Sequence, residues 1–153
     1  MRGEASTTID ATPEAVWALV SDVTRMGEWS PECQRCEWVA PATGPVVGAS
    51  FKGSNKRGVF RWSTTCHVVA ATPGEELAFT VGSASDPDAI TWRYRLAPDG
   101  AGTTLTETFE LPKVQPGYYK IINRLMGIKD READMTAGMA TTLSRIKAVA
   151  ERA

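Results

Sequence analysis

Between residues 37 and 111, apolar and polar side chains alternate in short runs that break at turn-forming stretches such as Thr72-Pro73-Gly74 and Pro98-Asp99-Gly100. A period of two marks a strand with one buried face. Connections this short cannot carry the chain back to a parallel partner, so successive strands must pair antiparallel. The pattern predicts strands over 37–40, 48–54, 59–70, 76–81, 90–96 and 103–111. Residues 41–45 and the polar stretch 83–88 are the longer breaks, and Asn55-Lys56-Arg57-Gly58 has the composition of a hairpin connection.

Helical signals flank this sheet-forming region. A β-branched strand over 5–10 gives way to Thr12, a capping residue, followed by Pro13 at the first helical position and Glu14 in the first turn. Val16, Leu19, Val20 and Val23 then recur at helical spacing. A second short helix fits 23–29, with Gly27 as its weak point. After the strands, Pro116-Gly117 opens a helical stretch through Tyr118, Ile121, Ile122 and Leu125 that is interrupted near Gly127. A long helix to the C-terminus follows, with Met135, Met139, Leu143, Ile146 and Ala150 on one face. The order predicts an α+β fold in which that helix packs on one face of a curved sheet. No repeat or linker divides residues 1–153, so the whole length reads as one domain. A chain of about 150 residues buries roughly 70% of its unfolded surface, enough for one large core or a smaller core around a cavity.

Several function classes drop out. The net charge is -1 and the longest basic cluster is Lys56-Arg57, so the chain lacks the footprint of a nucleic-acid binder. No apolar run reaches the roughly 18 residues of a membrane span, and the opening MRGEASTTID has no apolar targeting core, which predicts a cytoplasmic protein without stable membrane anchoring. Cys33 and Cys36 have C-x-x-C spacing, but the remaining zinc-ligand candidates, Cys66 and the sole histidine His67, are strand neighbours that point to opposite faces. The pair also does not open a helix after a buried strand, as a thioredoxin-like motif does. Two ordinary thiols and no metal are expected. There is no nucleophile elbow, P-loop or dinucleotide fingerprint, and no cofactor is expected.

Strand parity sorts the remaining candidates. In 90–96, Ile90, Trp92, Tyr94 and Leu96 share the inward face while Arg93 and Arg95 face water. Phe60, Trp62, Thr64, Cys66 and Val68 face inward on the long strand, which leaves His67 on the solvated side and out of reach of a sequestered substrate. Leu77, Phe79 and Val81 are inward on the next strand. On 103–111, Leu105, Phe109 and Leu111 are core, and their parity carries Glu107 inward with them. An inward carboxylate needs a partner, or its pKa rises toward the range useful for proton transfer. A structural pair or a bulge that turns it outward are the alternatives. Asn55 shares parity with Phe51 and Gly53, which aims it at a cavity mouth unless it merely serves the turn. Glu32, after Pro31, sits in a loop from which it reaches a pocket entrance or stays solvated.

The ordered segments Ile9-Asp-Ala-Thr-Pro-Glu-Ala-Val-Trp17, Trp29-Ser-Pro-Glu-Cys33, Gly48-Ala-Ser-Phe-Lys-Gly-Ser-Asn55, Trp62 through Pro73-Gly74, Thr91-Trp-Arg-Tyr94 and Gly102-Thr-Thr-Leu-Thr-Glu107 resemble the SRPBCC or START-like superfamily, most of all its polyketide cyclase/dehydrase branch. The resemblance covers essentially the whole chain. It implies a helix-grip fold: a seven-stranded antiparallel sheet bent around the C-terminal helix, with two short helices after the first strand and a hydrophobic cavity inside. A cavity so built would be lined by Trp29, Glu32, Phe51, Asn55, Phe60, Trp62, Thr64, Phe79, Trp92, Tyr94, Glu107, Phe109, Met126, Met135 and Met139. The functions implied are binding of a hydrophobic polyketide-, lipid- or isoprenoid-like molecule by a monomer or homodimer, or cyclisation and dehydration of a poly-β-ketone. In the second case Glu107 shuttles the proton and Tyr94 and Asn55 polarise a carbonyl, although no established cyclase catalytic set is matched. An interaction protein is a third possibility, with Tyr118, Tyr119, Ile121 and Ile122 as its apolar patch.

Overall fold

The computed structural model describes residues 1–82, 86, 88–113 and 116–152. Its seven strands are β1 (Arg2–Ile9), β2 (Cys33–Trp38), β3 (Ser50–Arg57), β4 (Phe60–Thr72), β5 (Glu76–Gly82), β6 (Ile90–Asp99) and β7 (Gly102–Glu110). They form one antiparallel sheet in the order β1-β7-β6-β5-β4-β3-β2. Every sequential neighbour from β2 to β7 pairs, as the short connections require, and β1 closes the far edge against β7. Helix α1 (Pro13–Val20) and a 3-10 helix (Val23–Glu28) follow β1, and α2 (Tyr118–Leu125) and α3 (Arg131–Arg152) follow β7. The predicted helix-grip architecture is the one observed. Among the described residues no helix is long and apolar enough to cross a membrane.

The ends of the elements follow local chemistry. Thr12 Oγ1 accepts the Ala15 amide at 3.2 Å to cap α1, and Asp22 Oδ1 accepts the Thr24 amide at 3.1 Å ahead of the 3-10 helix. Gly27 is no weak point. A Cβ there would lie 2.2 Å from the Gln34 carbonyl oxygen, so glycine is what lets the 3-10 helix approach β2. Among the strand bounds that differ from expectation, two bear on the cavity. Strand β2 begins at Cys33 instead of residue 37, because the Cys33 segment hydrogen-bonds along β3. Strand β3 runs on through Asn55 to Arg57, and the hairpin turn is only Gly58-Val59, where Gly58 adopts φ +60°. The stretch 83–85 and residue 87 of the expected polar loop lie outside the described residues.

Helix α3 divides its work along its length. Its C-terminal half puts Leu143, Ile146 and Ala150 into a dry core with Val16, Val20, Leu77, Leu96 and Leu105. Its N-terminal half sets Met135 and Met139 against Phe109 in a second cluster, with Trp92 packed on it. The cavity lies between this half and the sheet.

Candidate functional site

The cavity measures about 840 Å3 and lies between the inner face of β2–β7 and the N-terminal half of α3. Phe51, Trp62, Phe79 and Trp92 come to it from successive strands because period-two parity keeps large apolar residues on one face. Phe51 and Phe79 meet edge to face, 5.2 Å between centroids, and Trp38 braces Phe51 from behind at 5.5 Å. Met135 and Met139 form the roof.

The wall also carries polar groups, among them Asn55, Thr64, Tyr94 and Glu107 from the strands and Thr141 and Thr142 from α3. Asn55 Nδ2 donates to Thr64 Oγ1 at 3.2 Å, so Asn55 is a strand residue pointing inward and not a turn residue. Tyr94 and Glu107 are register partners on β6 and β7, and each is 4% exposed. Burial pushes the Glu107 carboxyl up to about 8, while hydrogen bonding with Tyr94 pulls it back only in part. Its Oε2 has no hydrogen-bond partner among the described residues. Burial, followed by the nearby Glu107, keeps the Tyr94 phenol protonated far above its ordinary range. At neutral pH the cavity therefore holds a protonated acid and a phenol as paired proton donors.

The mouth is built differently. Arg57 grips Asp134 through both Nη atoms, at 2.9 and 2.8 Å, and also reaches Glu32 at 3.3 Å. Arg131 donates to Glu32 at 2.8 Å and to Asp134 at 2.9 Å. Two arginines and two carboxylates thus tie the loop before β2 to the end of β3 and the start of α3. Glu32 was legible as a mouth residue, but Arg57, Arg131 and Asp134 were not. The only local signal was the i,i+3 spacing of Arg131 and Asp134.

Four expected lining residues lie elsewhere. Trp29 is in the dry core, 2% exposed, with the Arg25 guanidinium 5.5 Å over its ring. Phe60 stands at the hairpin end of β4, half-buried and beyond the mouth. Phe109 backs Trp92, 5.5 Å between centroids, and so supports the wall without forming it. Met126 ends α2, and its carbonyl accepts from Arg57 Nε at 3.3 Å. Cys66 is inward on β4 as parity predicts, whereas sequence reading missed the wall thiols Cys33 and Cys36; all three are buried. His67 is on the outer face, where its Nδ1 pairs with Ser50 Oγ at 2.8 Å. Among the described residues no group of three or more His, Cys, Asp or Glu is arranged to hold a metal ion.

This architecture has known relatives. The model of the family described as polyketide cyclase/dehydrase and lipid transport matches residues 2–151. The solution structure of the polyketide-cyclase-like protein Cgl2372 from Corynebacterium glutamicum is 33% identical, with 99% of this chain and 89% of that one covered at a TM-score of 0.57. The crystal structure of MLL2253 from Mesorhizobium loti shares the fold at 18% identity, TM-score 0.72, covering 99% of this chain and 98% of that one. The di-domain ARO/CYC protein StfQ of the steffimycin biosynthetic pathway aligns with 99% of this chain and 50% of its own, at 15% identity and TM-score 0.77. No curated protein matches the chain. A family match running from the first strand to the last turn of α3, on a sheet that grips that helix around an aromatic cavity, means that the chain belongs to the polyketide cyclase/dehydrase and lipid-transport family.

Proposed function

We propose that the protein binds a hydrophobic small molecule of polyketide, lipid or isoprenoid type in the cavity between the sheet and α3. The observation that carries this reading is an unfilled space of about 840 Å3 whose wall carries Phe51, Trp62, Phe79, Trp92, Met135 and Met139, within the size range of small-molecule sites. Aromatic faces supply contact area, and the flexible thioethers of Met135 and Met139 adapt to irregular ligand shapes. Asn55, Tyr94 and Glu107 add a few donors that orient a carbonyl or hydroxyl on the ligand. The test is native mass spectrometry of the purified protein together with titration by 1-anilinonaphthalene-8-sulfonate. Binding is expected, and Thr64→Phe, which fills the cavity from β4, abolishes it while the circular dichroism spectrum is retained. Absence of both a co-purified molecule and dye binding overturns the reading.

One observation favours a second reading, in which the cavity is catalytic: the unpartnered Oε2 of Glu107. In an intramolecular aldol closure and dehydration, the minor fraction of Glu107 that is ionised at neutral pH takes a proton from the carbon between two carbonyls. The new carbon–carbon bond forms as that carbon attacks a distal carbonyl polarised by Tyr94 and Asn55. The protonated Glu107 returns that proton to the new alkoxide to give the aldol hydroxyl, then takes the second proton from the same carbon and delivers it to the hydroxyl, which leaves as water while the carbon–carbon double bond forms. Holding the chain folded supplies much of the barrier reduction, and the proton shuttle about 10²–10⁴-fold more. Glu107→Gln separates the readings. A catalyst retains dye binding and loses turnover of a short poly-β-ketone by roughly that factor, whereas a carrier shows no turnover to lose.

A further inference from the structure

Residues three apart on a regular strand point to opposite faces, yet Cys33 and Cys36 are both buried on the cavity side. A bulge is the cause. Cys33 pairs with Asn55 and Arg35 with Ser54, so β2 carries one residue more than β3 across this step, and Cys36 arrives opposite Gly53 on the same face as Cys33. The two Sγ atoms are 3.3 Å apart. Gly53 lies opposite, where an added Cβ would stand in ordinary contact with Cys36 Sγ at 3.6 Å and would crowd Thr64 Oγ1 at 2.9 Å. The pair is asymmetric. The hydrogen bond from Cys36 holds the Cys33 thiol below its ordinary range, and the same contact, with burial, pushes Cys36 far above it. Cys66 stands apart on β4, pushed up to about 12 by burial, and is the inert thiol of the three.

We propose that Cys33 and Cys36 form a cavity-wall dithiol that peroxide oxidises to an intrachain disulfide, and that its redox state resets the cavity mouth. The Cys33 thiolate attacks one peroxide oxygen, an S–O bond forms as the O–O bond breaks, and the departing hydroxide takes a proton to become water. Cys36 Sγ then attacks the Cys33 sulfur, the S–S bond forms, the S–O bond breaks, and the second hydroxide leaves as water with the Cys36 proton. Two electrons pass from the two sulfurs to one hydrogen peroxide. A disulfide of about 2 Å is shorter than the present gap, so closing it draws Cys33 inward. Its neighbour Glu32 holds both Arg57 and Arg131 at the mouth. This second half of the proposal rests on the ligand-binding reading, and the first half does not.

The full chain is treated with hydrogen peroxide, quenched with catalase, denatured and alkylated with iodoacetamide for intact mass. Before alkylation the mass falls by about 2 Da. The alkyl labels fall from three to one, the remaining label maps to Cys66, and dithiothreitol restores the rest. Cys33→Ala and Cys36→Ala each abolish the mass loss; Cys33→Ala keeps both remaining thiols reactive, whereas Cys36→Ala leaves Cys33 as a sulfenic acid, a gain of one oxygen that dithiothreitol reverses. In the parent, three labels after peroxide, a bond to Cys66, or gain of oxygen without a disulfide overturns the dithiol. The oxidised protein binds 1-anilinonaphthalene-8-sulfonate with an affinity changed by about threefold or more, and peroxide leaves the affinity of Cys33→Ala unchanged. A disulfide with unaltered dye affinity overturns the effect on the mouth alone, and failure of either state to bind dye overturns the ligand reading while the disulfide result stands.

Discussion

Glu107 is carried into the cavity by its strand and not by a partner. Leu105 and Phe109 on either side are fully buried, and a strand cannot bury two alternate residues without burying the one between them on the same face. That much is legible in sequence, as is the placement of Asn55, Tyr94 and Trp92. The arginines at the mouth are not, because Arg57 meets Asp134, and Arg131 meets Glu32, across 77 and 99 residues, and nothing local in the chain marks so distant a pairing. The buried acid has a consequence for stability. The carboxyl ordinarily titrates near 4.5 and in the fold at about 8. Below the lower value both folded and unfolded chains are protonated and nothing is lost. Between the two, the unfolded chain releases a proton that the folded chain keeps, so stability falls as pH rises, and above the upper value the loss is complete. Glutamine carries no such proton. Urea melts at pH 5, 7 and 9 will show Glu107→Gln gaining on the parent by about 2–4 kcal/mol over that span, given about 1.4 kcal/mol per pKa unit. Parallel pH profiles would mean that Glu107 titrates alike folded and unfolded.

At the scale of elements, period and parity predict every strand, and the errors fall where one residue is inserted or one backbone approaches another. The bulge in β2 adds a single residue, which leaves no trace in composition and reverses the parity of the residues beyond it. This is why Cys33 and Cys36 read as unrelated thiols. The reading of Gly27 as a helix weakness fails for a similar reason, since its role is set by a carbonyl on another element. Gly27→Ala forces the 3-10 helix off β2, and a loss of about 2 kcal/mol or more is expected by chemical denaturation. Helix α2 is the contrast. It has no buried residue, and Ile121 and Leu125 are 65% and 68% exposed. Leu125→Glu is therefore expected to change stability by no more than about 0.5 kcal/mol, whereas Leu143→Ala in the dry half of α3 costs about 2–5 kcal/mol. A large loss at Leu125 in the same assay would show that its apolar side is covered in solution.

Across the whole molecule the helix grip has a closed end and an open end. The closed end is fastened by apolar packing of α1 and α3 on the sheet, which has no directional geometry and releases only with unfolding. The open end is fastened by four charges that join the loop before β2, the end of β3 and the start of α3, each about a quarter exposed. Charge-assisted bidentate bonds are strong and geometrically exacting, yet water and salt can reach them. Salt can thus loosen the fastening of the mouth without disturbing the core. Arg57→Met preserves most of the side-chain length and removes its contacts with Asp134, Glu32 and the Met126 carbonyl at once. If the cluster is a latch, stopped-flow binding of 1-anilinonaphthalene-8-sulfonate accelerates in both directions by roughly tenfold, the equivalent of about 1.4 kcal/mol of restraint, while Kd moves little. Added salt speeds the parent protein in the same way and affects the variant less, because only the pairs of Arg131 with Glu32 and Asp134 are left to screen. Faster dissociation with unchanged association gives a different answer: Arg57 then touches the ligand itself, and the cluster belongs to the binding surface instead of its door.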